Sequence, residues 1–189
     1  MPPSKNQNCY VALLRGINVG GNNLIKMGDL RTSFGEIGLT GVQTYIQSGN
    51  VVFCAKQMTK AKLTQMIEEA LSEAFNYQSR VVIVSAAELQ KIVAQAPKGF
   101  GQDPDVYRYD VLFVREPVKT SEALEQIPRN PDVDTVHAGD HALYFRRLVA
   151  EAAQSLLHKS IQRPVYKHIT VRNWRTTMKL LEMVTSQDQ

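Results

Sequence analysis

Arg15 ends an apolar run, Cys9-Tyr-Val-Ala-Leu-Leu14, and opens a loop that carries Gly16, Asn18, Gly20 and Gly21. A guanidinium donates through a planar fork that fits phosphate or carboxylate, and it needs such a partner where no acid adjoins it. A second polar group, Gln47-Ser-Gly-Asn50, lies between two apolar runs. Amide and hydroxyl donors beside glycines, whose backbone N–H groups can form a concave nest, are how small anions are held. Alternatively, Asn18, Asn50 and the glycines only serve turns that need positive φ. A third group, Arg172-Asn-Trp174, opens a helical pattern in which Thr170 or Asn173 can cap, and Arg172 and Arg175 add positive charge. Trp174, the only tryptophan, can stack a base or anchor a core. The expected ligand-binding residues are therefore Arg15, Asn18, Gln47, Ser48, Asn50, Arg172, Asn173 and Trp174, and the expected ligand is an anionic small molecule or nucleotide.

Catalytic patterns are sparse. The glycine loop is not a phosphate-cradling P-loop, because Asn22 stands where the lysine should follow Gly20-Gly21. It also lacks the third glycine and the strand-helix-strand setting of a dinucleotide fingerprint. Ser48 is not in a Gly-x-Ser-x-Gly elbow. His137 and His141 flank a Gly139-Asp140 turn and need not project together. Glu68-Glu69 falls on the solvated side of a helix beside its apolar stripe. No nucleophile or general base stands out, so whether the chain is an enzyme stays open; no cofactor or metal is expected.

The elements that must position these groups follow from periodicity. Cys9 to Arg15 reads as a buried strand, and Met27 to Ile37 as a helix through Leu30, Phe34 and Ile37. Val42–Gln47 and Val51–Cys54 form a hairpin around Ser48-Gly-Asn50. Leu63, Met66, Ile67, Ala70, Leu71, Ala74 and Phe75 give a clear amphipathic helix with Thr59 as N-cap, followed by a strand at Arg80–Val84 and a Ser85-capped helix at Ala86–Ala94. The order then recurs: strand Tyr109–Arg115, helix Ser121–Ile127, hairpin strands Thr135–His137 and Ala142–Arg146, helix Ala150–Ile161, strand Val165–Ile169 and terminal helix Asn173–Val184. This is the α+β ferredoxin-like order, βαββαβ, twice over, each copy with an antiparallel sheet and an extra helix after it. The expected division is 1–96 and 97–189, with Pro97 to Pro104 as the link.

That topology makes the first and third strands antiparallel neighbours and carries the end of the first strand to the rim that holds the Gln47–Asn50 turn. Cys9 and Cys54 fall at the other end of the same strands, where they are expected to be free buried thiols. If the helix start at Trp174 meets the Arg15 rim, the ligand sits in a cleft between the two halves.

Composition narrows the setting. With 189 residues, 43% apolar and 21% charged, the chain can bury a core. Two cysteines cannot staple a secreted domain. The first eight residues have no apolar run behind their charge, and no stretch approaches a membrane span, so a cytoplasmic protein with no membrane partner is expected. From Arg146 onward eight basic residues face three acidic ones. That bias makes nucleic-acid binding an alternative, and an interaction module without a pocket is a third.

Leu13-Leu-Arg-Gly-Ile-Asn-Val-Gly-Gly21, Lys26-Met27 with Leu30, Thr44-Tyr-Ile-Gln-Ser-Gly-Asn-Val-Val-Phe53, and Arg172-Asn-Trp-Arg-Thr176 with Lys179-Leu180 form an unusual motif set. On these residues, from Tyr10 to Met183, the chain resembles the bacterial domain-of-unknown-function family 1697. The resemblance implies a cytoplasmic α+β protein of two intertwined ferredoxin-like subdomains and carries no catalytic role with it.

Overall fold

The computed structural model describes residues 7–18, 21 and 23–187. Two four-stranded antiparallel sheets carry the fold. The described residues of Met1–Leu89 and Leu180–Gln189 make one compact unit, and Gln90–Lys179 make the other.

In the first unit β1 (Gln7–Leu14), β2 (Thr40–Tyr45), β3 (Asn50–Lys56) and β4 (Val81–Ser85) lie in the order β2-β3-β1-β4. The helices α1 (Met27–Glu36) and α2 (Lys60–Phe75) cover one face. Side chains alternate across a strand, so Tyr10, Ala12 and Leu14 join Val51, Phe53 and Ala55 on one face, against Leu30 and Phe34 of α1 and Leu63, Ile67 and Leu71 of α2. Cys9, Val11 and Leu13 on the other face are also buried, which explains why β1 reads as a continuous apolar run. Thr59 caps α2 by accepting from Lys62 N at 3.3 Å. Ser85 and Glu88 close the start of α3 (Ala86–Ala94) as a reciprocal box: Glu88 N donates to Ser85 Oγ, and Ser85 N donates to Glu88 Oε2.

The second unit repeats the pattern with β5 (Tyr107–Val114), α4 (Thr120–Gln126), β6 (Asp134–Ala138), β7 (Ala142–Leu148) and β8 (Ile169–Asn173), in the order β6-β7-β5-β8. Leu112, Leu143, Phe145 and Ile169 pack with Ala123 and Ile127 of α4. The chain is thus α+β, with two ferredoxin-like subdomains. The unit boundary falls within α3 and again within α5 (Trp174–Gln187), while the Pro97–Pro104 stretch lies inside the second unit.

Two expected elements differ. Residues 150–161 form no α-helix; three short 3-10 segments, Ala152–Gln154, Leu157–Gln162 and Pro164–His168, fill the span to β8. A helix through this span would turn the amide of Leu156 back on its own chain, but that amide donates instead to Asp134 Oδ2 at 3.0 Å, while Ser155 N turns tightly onto Ala152 O. The strand expected at Val165–Ile169 consequently begins only at Ile169, where pairing with Val114 sets its register.

The expectation of two free thiols is also corrected. Cys9 and Cys54 are directly opposed in the β1–β3 register, their Cα atoms are 4.0 Å apart, and they are joined as a disulfide. Directly opposed residues of an antiparallel pair put both side chains on one face at close range, and here nothing else separates the sulfurs. Gln187, at the end of α5, lays its backbone and side-chain oxygens 3.6 and 3.3 Å from the two sulfurs and donates from Nε2 to Gly41 O at 2.7 Å.

Candidate functional site

The end of β1 and the β2–β3 turn share one rim of the first sheet. β1 and β3 pair down to Leu13 opposite Asn50; one residue further, Leu14 N donates to Gly49 O at 2.8 Å. Arg15, half-buried, is fixed next through its own amide, which donates to Arg80 O at 3.0 Å. Gly49 is buried at φ +72°, and a β-carbon there would lie 2.7 Å from Leu14 Cβ and 2.9 Å from Ile17 Cδ1. The close approach of turn to strand therefore needs glycine at this position.

Asn18 ties the loop to the turn. At φ +53° its side chain accepts from Ile25 N at 2.8 Å, and its Nδ2 donates at 3.0 Å to Ile25 O and at 3.0 Å to Gln47 O. Asn50 is fully buried and its Nδ2 donates to Tyr45 O and Ser48 Oγ. These two amides hold the turns, as one reading of the sequence anticipated. Ile46, Gln47 and Ser48 of the turn are exposed, and Arg15 at the end of β1 is half-buried. Val19 and Gly20, part of the expected glycine nest, lie outside the described residues, as does Asn22. The uncapped start of α1 follows just beyond Ile25, and its first amides add a positive end to the neighbourhood.

The second unit repeats the backbone of this rim. Val114 N donates to His141 O and Arg115 N to His168 O at 2.8 Å, as Leu14 and Arg15 do to Gly49 and Arg80. Arg115 thus stands where Arg15 stands, but the turn beside it is Gly139-Asp140, which carries a carboxylate in place of amides.

The remaining expected site residues, all in the second unit, have structural partners. Arg172 is buried in β8, its Nη1 donating to Thr170 Oγ1 at 2.9 Å and Val171 O at 2.8 Å. Asn173, not Thr170, caps α5, its Oδ1 accepting from Arg175 N at 2.9 Å. Trp174 stands edge-on to Phe100 at 5.2 Å and against Gly101, where a β-carbon would meet its ring at 2.3 Å. Phe100 also contacts Tyr109 and Tyr144 edge-on, so the half-buried tryptophan joins an aromatic cluster.

Sequence reading missed two charged nodes. Glu68 is not on a solvated face: it accepts from Val81 N at 2.9 Å and pairs with Arg80. In the second unit Asp110 is buried and pairs with Arg147 at 3.3 Å; burial pushes its carboxyl pKa up, against the pull of Arg147 and Arg108. Asp134 Oδ1 and Arg147 Nε are buried without a hydrogen-bond partner, although the two residues are opposed across β6 and β7. An acid one strand away is invisible to local pattern. Among the described residues no cluster of histidine, cysteine and carboxylate side chains could hold a metal ion, and no helix is long and apolar enough to cross a membrane.

The chain is similar to a solved structure described as that of conserved bacterial protein SP0830 from Streptococcus pneumoniae, with 26% identity and a TM-score of 0.80 over 94% of this chain and 99% of that one. No curated protein matches it. The sequence pattern of a family described as protein of unknown function (DUF1697) matches residues 8–144, which include the β1 loop, the Gln47–Asn50 turn and both arginines that follow a first strand. The chain belongs to that family.

Proposed function

We propose that the rim of the first unit binds a small molecule bearing a phosphate or carboxylate, with Arg15 supplying charge and Gln47 and Ser48 supplying hydrogen bonds. The observation that carries this reading is the Asn18 bridge to Gln47 O, because it sets the Arg15 loop and the exposed turn side by side. A half-buried and a fully buried asparagine network and a crowded glycine, all spent on fixing an exposed polar turn, support a scaffold for recognition. Residence in the cytoplasm belongs to the same reading.

Thermal-shift and calorimetric titration with inorganic phosphate and a panel of phosphorylated metabolites tests it. Binding that is lost in Arg15→Ala and kept in Arg115→Ala is expected. No binding, or equal binding by the Arg15 variant, overturns it.

Nucleic-acid binding is the second reading, favoured by charge: residues 90–179 hold fourteen lysines and arginines against ten acids, whereas the rest of the chain is balanced. Against it, Tyr109 and Tyr144, on the two central strands where single-strand readers stack bases, are 4% and 1% exposed. Affinity for DNA or RNA that falls steeply with salt is the result that would promote this reading over the first.

A further inference from the structure

Ile46 is the first residue of the β2–β3 turn and has φ +48°, a conformation that a β-branched side chain disfavours. It is 50% exposed, and Leu24 in the loop before Ile25 is 76% exposed. Residues held in sparsely populated backbone conformations cluster at ligand-contacting and active sites, so the outlier at Ile46 points to contact.

The two residues belong to backbone segments that Asn18 ties together. Asn18 Nδ2 reaches Ile25 O and Gln47 O at 3.0 Å each, so those two carbonyl oxygens are at most 6.0 Å apart. Leu24 and Ile46 each immediately precede one of these carbonyl-bearing residues. Two exposed apolar residues thus stand in the bridged segments, Ile46 directly before Gln47 and Ser48, and Leu24 in the loop that follows Arg15 at the end of β1.

We propose that the ligand of this rim is an amphipathic anion: an organic monophosphate or carboxylate whose compact apolar or aromatic body lies on Leu24 and Ile46 while its charged group meets Arg15 and Ser48. The proposal rests on the anion-binding reading above and adds the ligand's chemical class. A bare anion would leave both side chains in water and the strain at Ile46 without a contact to serve. An apolar body on the ligand removes area from water on both partners, and the anion fixes its orientation.

The test is calorimetric titration of the full chain with inorganic phosphate, methyl phosphate and phenyl phosphate. Ile46→Gly and Leu24→Ser are the variants, since glycine adopts the turn conformation without strain and position 24 is exposed. Phenyl phosphate should bind about tenfold more tightly than methyl phosphate, a difference of about 1.4 kcal/mol. That ratio should fall toward unity in either variant while methyl phosphate affinity stays unchanged. A ratio near unity in the unaltered protein, or one that neither variant moves, overturns the apolar contact and leaves the anion site standing. Failure of all three probes to bind, or binding unaffected by Arg15→Ala, overturns the site itself and this proposal with it.

Discussion

Gly49 and Leu14 approach so closely that a β-carbon on the glycine would stand 2.7 Å from Leu14 Cβ, while the Leu14 amide donates to the Gly49 carbonyl at 2.8 Å. The contact joins the β2–β3 turn to the end of β1 and has no room for any other residue. Gly49→Ala combines left-handed strain with overpacking and should cost about 2–4 kcal/mol. Gly38→Ala is the control: Gly38 has φ +81° with nothing within 4 Å of the added carbon, so only the strain of about 1–2 kcal/mol remains. Urea unfolding of both variants measures the difference, and equal losses would mean that the Leu14 contact relaxes freely.

Asn18 satisfies three backbone groups with one side chain. Asn18→Gly retains the φ of +53° but leaves those groups without their partner, at a cost of about 1–3 kcal/mol. Asn18→Asp keeps the acceptor for Ile25 N and loses both donated bonds, so it should not restore stability. Hydrogen exchange at the Ile25 amide separates the variants: faster in Asn18→Gly, near the original rate in Asn18→Asp.

The Cys9–Cys54 disulfide closes a loop with a sequence separation of 45 residues. Removing loop closure from the unfolded chain should cost about 2–4 kcal/mol. The unfolding midpoint in urea should therefore fall when reductant is added, and the Cys9→Ala, Cys54→Ala double variant should match the reduced protein and ignore reductant. A midpoint that does not respond to reductant would show that the thiols are not bridged in solution.

Glu88 accepts from Ser85 and pairs with Lys60. Burial by itself raises its pKa, but the Lys60 and Ser85 hydrogen bonds and the Lys60 charge outweigh that effect and hold it below the usual carboxylate range. A depressed folded-state pKa gives stability that is present above the unfolded value and lost as pH falls through the folded one. Glu88→Gln should thus cost about 1–3 kcal/mol at neutral pH, with the gap to the original protein closing as the solution is made acidic enough to protonate the carboxylate. Denaturant midpoints across an acid pH series check the sign.

Tyr144 donates from its hydroxyl to Ile92 O at 2.6 Å, and burial, with a smaller contribution from Asp140, pushes its phenol up to about 12. The folded-state pKa is raised, so this group's stabilisation is complete below the usual tyrosine value of 10.0 and is lost as pH rises from there to about 12. Tyr144→Phe should be less stable than the original protein at neutral pH and show a shallower decline through that alkaline window. Ultraviolet titration of phenolate in the folded proteins should find one late-ionising tyrosine more in the original than in Tyr144→Phe, the phenol of Tyr77, also raised by burial, being common to both.

Periodicity alone determined most of the elements: the α2 stripe from Leu63 to Phe75, its Thr59 cap and the α3 span from Ala86 to Ala94 are local properties, set by side-chain spacing and by hydrogen bonds that close within four residues. The doubled strand and helix order then fixed the sheet topology, and with it the meeting of the β1 end and the Gln47–Asn50 turn, because connection handedness leaves few alternatives. Tertiary structure decided what depended on partners distant in sequence. Asp134 takes the Leu156 amide and dissolves a helix whose local pattern is sound. Register sets Cys9 against Cys54, Phe100 and Gly101 pack against Trp174, and Arg147 answers the charge of Asp110 from a neighbouring strand. The partners of the rim amides were also decided there: half-buried Asn18 donates to Gln47 O from a segment 29 residues away, while fully buried Asn50 is satisfied within its own turn by Tyr45 O and Ser48 Oγ, since a buried amide must find partners where the fold supplies them.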